Sequence, residues 1–143
     1  MTKPALTTYV GRFLGTNLRA VPGFAAALPG GVWRGIAPEG AAYPFLTYEY
    51  VSGTSKLTVD STGNAIGGNL SYLLKVTDRS DSSVKAQDGA AWVNEAIASI
   101  TGAAVLDGWV YAEETNPYDS STIEGEVRYQ QIGGTYLFYV DRG

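Results

Sequence analysis

The chain has 143 residues, 45% of them hydrophobic and 17% charged, with a net charge of −4, which suits one globular domain with a core of its own and is too sparse in charge for a disordered chain. It contains no cysteine and no histidine. That excludes disulfides, thiolate or imidazole metal sites and any catalysis that runs through His or Cys, while the acidic balance argues against duplex DNA as a tightly held ligand.

In chain order, the first segment is "MTKPALTTYVGRFLGTNLRAV". Gly11, Arg12 and Asn17 interrupt its apolar residues, so it reads neither as a signal peptide nor as a membrane span, and the expectation is a soluble, unexported protein. Tyr9, Val10, Phe13, Leu14 and Leu18 recur at helical spacing. Thr7 or Thr8 is the expected cap, and the helix should end before Pro22-Gly23. A short extended piece is expected around Val32 and Trp33. Pro38 and Pro44 then bracket a loop that feeds a strand in which Leu46, Tyr48 and Tyr50 alternate with Phe45, Thr47, Glu49 and Val51. From Ser52 to Asn69 the composition is polar and Gly-rich, with Leu57, Val59 and Ile66 as its apolar anchors. This predicts a long loop or exposed hairpin, an element that in compact domains is usually functional or disordered.

Leu70, Tyr72, Leu74 and Val76 alternate with more polar neighbours, predicting a strand with one buried face. Ser82 or Ser83 should cap a second helix whose core positions are Ala86, Ala90, Val93, Ile97 and Ile100, with Gly102 closing it. Strands are then expected at Gly108 to Glu114, Ile123 to Ile132 and Thr135 to Asp141, the last two joined by a turn at Gly133-Gly134. The order implies a single α+β domain over residues 1–143: a mainly antiparallel sheet, two principal helices packed on one face, and one long exposed loop or hairpin.

Candidate chemistry is thin. Glu113 and Glu114 point to opposite faces of a strand and do not pair as the carboxylates of a glycosidase, and Glu124, Glu126 and Arg128 read as a solvated outer face opposite Ile123, Val127 and Tyr129. "DSTGN" and "DRSDSS" lack the spacing of a calcium loop, and "GTSK" lacks the rest of a phosphate-binding loop. No cofactor, metal or catalytic set is expected. The ten tyrosines and three tryptophans are core or cross-strand residues in the main, and any left on an exposed face favour assembly over a carbohydrate platform.

The run "VWRGIAPEGAAYPFLTYEYVSG", Val32 to Gly53, followed by "LSYLLKVTDRSDSSVKAQDGAAWVNEAIASI", Leu70 to Ile100, resembles the tail-completion, or tail-terminator, family of long-tailed bacteriophages and gene transfer agents. Val32, Gly35, Ala37-Pro38, Gly40, Pro44-Phe45, Tyr48, Val51-Ser52 and Gly53 match the family pattern. The resemblance covers most of the chain and rests on structural positions. It implies a head-to-tail joining protein of the virion, made in the cytoplasm of the bacterial host, that forms a ring, typically hexameric. Such a ring caps the tail tube, faces the head-side connector or stopper, and lets DNA pass through its lumen without specific binding. No membrane partner is implied. On this reading Leu57, Val59, Ile66, Tyr48, Tyr50 and Trp33 are the expected subunit-interface residues, and Asp at both Leu57 and Val59 should weaken assembly. A tail-tube subunit or neck adaptor is the nearest alternative, and a small carbohydrate-binding or glycan-hydrolysing module a more distant one.

Overall fold

The computed structural model describes residues 4–55 and 67–141. The chain opens with α1 (Leu6–Arg12), which runs on as a π-helical stretch, Phe13–Leu18, before the short α2 (Phe24–Ala27). β1 (Val32–Arg34), β2 (Phe45–Ser55) and β3 (Gly67–Arg79) follow, then α3 (Val84–Ile100), β4 (Ala103–Val105), β5 (Gly108–Glu124) and β6 (Val127–Asp141). Among the described residues these strands form one sheet in the order β1-β2-β3-β6-β5-β4. It is α+β as expected, but the sheet is mixed. β1 lies parallel to β2, with Val32 opposite Leu46, while the other pairings are antiparallel.

The periodicities in the sequence place the core. Tyr9, Val10, Phe13, Leu14 and Leu18 are fully buried, because the row of three- and four-residue spacings stays on one side even where the helix widens to π geometry. Leu70, Tyr72, Leu74 and Val76 of β3 face them together with Tyr136, Phe138 and Val140 of β6. From α3 come Val93, Ala96 and Ile97, while Ala90 and Ile100 pack at the margin. An edge-to-face chain of rings links the layers: Phe13 meets Phe138 at 5.9 Å, and Phe138 meets Tyr72 at 5.5 Å and 87°. At the end of α3, Gly102 takes φ +84°, the left-handed conformation that ends many helices.

Several local expectations fail, each for a physical reason. Gly133-Gly134 is no turn: both residues lie inside β6, where Gly133 pairs with Lys75 and Tyr118, and Gly134 with Leu74 and Pro117. Neighbouring backbones crowd that point, so that a Cβ on Gly133 would lie 1.9 Å from the Leu74 carbonyl oxygen and one on Gly134 2.7 Å from that of Asn116. Glycine is there for close approach rather than for reversal. The real turn is Gly125-Glu126, with Gly125 at φ +64° in the first central position, the place that a type II′ hairpin reserves for glycine. β5 and β6 are consequently long paired arms, and the strand expected at 123–132 is split by that turn. The polar segment from Ser52 to Asn69 takes, in its described residues, the hairpin form of the expectation: β2 continues to Ser55 and β3 starts at Gly67, with Ser55 opposite Gly68.

The caps differ too. α1 starts at Leu6 behind Ala5, ahead of both threonines, with no side-chain cap. Ser83 stands at the N-cap of α3, but the amide of Val84 donates to Ser82 Oγ at 3.3 Å, and Gln87 Nε2 donates to Ser83 Oγ at 3.0 Å.

Candidate subunit interface

Three of the expected interface residues lie on the two strands at one edge of the sheet, but on different faces, since Trp33 stands beside Thr47 and it is Arg34 that stands beside Tyr48. Trp33 sits on β1, its indole N–H donating to the Gly30 carbonyl at 2.6 Å, with the Arg19 guanidinium 5.9 Å from its ring centre. Tyr48 and Tyr50 of β2 share a face, and both rings pack against Tyr72, at 6.0 and 5.6 Å. Tyr50 is 51% exposed. Tyr72 itself is buried, and that burial pushes its hydroxyl up to about 12 while the Arg34 guanidinium pulls the other way. Leu57, Val59 and Ile66 lie outside the described residues.

Beside these tyrosines the helical segment and the sheet edge enclose an open cleft of ≈460 Å³. Thr7, Thr8, Gly11, Arg12, Gly15, Thr16 and Arg19 form its helical wall, and Arg34, Tyr48 and Tyr72 its sheet wall. The helical residues recur every four positions, which puts them on one stripe, and the small side chains along it hold the cleft open. A Cβ on Gly15 would have nothing within 4 Å. Arg12, Arg19 and Arg34 are exposed, and Arg19 Nη2 donates to the Val32 carbonyl at 3.0 Å, tying the helical segment to β1. Among the described residues no acidic side chain lines the cleft. Sequence reasoning missed this group because its members come from separate elements. A signal was nevertheless present: no Asp or Glu precedes Glu39, so the basic residues of that stretch have no local acid to offset them.

The opposite side of the sheet has the reverse character. Between residues 108 and 127 there is no Lys or Arg, while Glu113, Glu114, Asp119, Glu124 and Glu126 all lie exposed on β5 or its turn. The expected grouping of Glu124, Glu126 and Arg128 on one face does not hold, since the turn falls among them. Glu124 pairs across the hairpin with Val127, and Ile123 with Arg128. Near the root of the hairpin Trp109, Tyr111 and Tyr139 are exposed, and Tyr111 stands directly opposite Tyr139 across the strands. The Tyr139 hydroxyl donates to Glu113 Oε1 at 3.0 Å, which raises its pKa because the phenol must give up that bond to ionise. β4 pairs with β5 only over Gly108, Trp109 and Val110, and the Ala112 amide donates to Thr101 Oγ1. From Glu113 to Glu124 the outer edge of β5 has no strand beside it among the described residues.

No protein-family model and no curated protein matches the sequence. Among solved structures the chain is similar to one from the virion of a native gene transfer agent (GTA) particle, at 18% identity and a TM-score of 0.69, covering 97% of this chain and 99% of that one. The chain thus shares its fold, over nearly its whole length, with a component of that particle.

Proposed function

We propose that this protein is a structural virion component, a tail terminator or tail-completion subunit whose copies form a ring, hexameric in the simplest case, that caps the tail tube and joins it to the head-side connector. One observation carries the reading: the gene transfer agent virion chain matches this fold almost without remainder on either side. The division of the surface supports the same reading, because a closed ring requires two different, mutually complementary patches on each subunit. The lumen passes DNA without gripping it, in keeping with the net charge of −4.

The role is non-catalytic. Purified protein should leave glycans uncleaved, and glycan cleavage that Glu124→Gln or Glu126→Gln abolishes would overturn that part of the reading. The decisive experiment is electron microscopy of particles made without this gene product. Filled heads alongside tails of uncontrolled length, or tails left unjoined, are expected. Total absence of tail tubes would instead make this a tube subunit, and normal joined particles would end the structural reading.

A further inference from the structure

We propose that the cleft of Arg12, Arg19 and Arg34 receives the acidic β5–β6 hairpin of a second copy of this chain, so that the two surfaces form the repeating contact of the ring. The proposal rests on the ring reading above and names its contact. The cleft offers three exposed guanidinium groups and the hydroxyls of Thr7, Thr8 and Tyr48, with no carboxylate among its described residues. That donor-rich lining fits carboxylates. At its tip the hairpin supplies Glu124 and Glu126, with Arg128 on the face away from Glu124, and Asp119 follows down β5, while Glu113 and Glu114 lie against the hydroxyls of Tyr139 and Tyr136. Both belong to one molecule, yet the sheet wall of the cleft and β5 are separate parts of it: β1 and β5 are four strand spacings apart along the sheet, roughly 19 Å, and both are fixed to it by their ladders. A cleft on one side and its complement on the other describe a heterologous contact, which repeats from copy to copy and closes if the rotation allows. Nucleic acid phosphate would satisfy the arginines as well, but the chain that carries the cleft also carries its acidic complement, and its net charge repels a polyanion at longer range.

The test is a charge exchange between subunits. One variant carries Arg12→Glu and Arg34→Glu; the other carries Glu124→Lys and Glu126→Lys. Each alone should raise the concentration needed for ring assembly at least about tenfold, read by analytical ultracentrifugation. Mixed in equal amounts they should assemble again, because a reversed cleft then meets a reversed hairpin and alternating subunits close any even-numbered ring. Gly15→Phe gives an independent check, since it places a ring in the cleft at a position with open space around it. It should block assembly while leaving the thermal unfolding midpoint near that of the wild type.

If the wild type forms rings that the reversals leave intact, or if the mixture fails to recover, the proposal is wrong and the ring reading stands. If the reversed cleft assembles normally but loses retention of duplex DNA, the cleft is a phosphate site and the proposal is likewise wrong. A wild-type protein that stays monomeric at every concentration, and on tail tubes, removes both.

Discussion

Gly133 and Gly15 show how differently one residue type is used within the same chain. At Gly133 an added Cβ would meet the Leu74 carbonyl oxygen at 1.9 Å, whereas at Gly15 it would meet nothing within 4 Å. Gly133→Ala should therefore cost about 3 kcal/mol, since the obstacle is backbone in the middle of a ladder and cannot swing aside. Gly15→Ala should be neutral to slightly stabilising through helix propensity. Urea denaturation of the two variants checks both. Tyr72 supplies a pH-dependent counterpart. Its hydroxyl is held protonated up to about 12 in the fold, against 10.0 in the open chain. Its contribution is thus fully present below pH 10 and is lost as pH rises towards 12, because only the unfolded chain ionises in that window. Tyr72→Phe keeps the ring contacts with Phe138 and Tyr50 and should flatten the alkaline fall in stability, read as the urea midpoint between pH ~9 and pH ~11.5.

Among the elements, α3 is the plainest case of pattern becoming packing. Ala86, Val93 and Ile97 fall on the buried stripe, Ile97 at 2% exposure, so Ile97→Ala should cost about 2–5 kcal/mol from transfer and cavity terms together. A loss below about 0.5 kcal/mol in thermal or urea unfolding would place the wrong stripe against the sheet. α3 and β3 were legible in the sequence because each is long enough for its period to repeat and each buries one face. The Gly133-Gly134 dipeptide misled for the converse reason. Its local chemistry is that of a turn, and the carbonyls of Leu74 and Asn116 that make glycine necessary there lie far away in sequence. The same holds for the candidate interface. Tyr48 and Tyr50 were visible as one strand face, whereas Arg12, Arg19 and Arg34 become neighbours only when the helical segment docks beside β1 and β2. Trp109, Tyr111 and Tyr139 are exposed, and Tyr111 and Tyr139 face each other as the cross-strand pair that the composition allowed.

At the scale of the molecule, Arg12, Arg19 and Arg34 gather at the β1 edge and Asp119, Glu124 and Glu126 along β5 and its turn. Assembly through such ends weakens with salt, so raising ionic strength from ~0.05 M to ~0.5 M should shift the protein towards monomer as the screening length shrinks. Contacts made only by the aromatic patch would show the opposite or no dependence, since salt does not weaken apolar burial. Sedimentation across a salt series separates the two.

The bare outer edge of β5 carries a hazard for the subunit before it assembles. A row of backbone groups from Glu113 to Glu124 without a neighbouring strand is a template for any extended chain, including another copy of itself, and runaway stacking of such edges ends in fibrils. The chain blunts that edge in three ways. Pro117 removes an amide donor midway, the irregularity between Glu114 and Asn116 breaks the register, and repeated carboxylates keep like edges apart. Pro117→Val should consequently leave the fold intact while raising light scattering and thioflavin fluorescence on prolonged incubation of the free subunit. A variant that stays as clear as the wild type would shift the burden of solubility to the carboxylates alone.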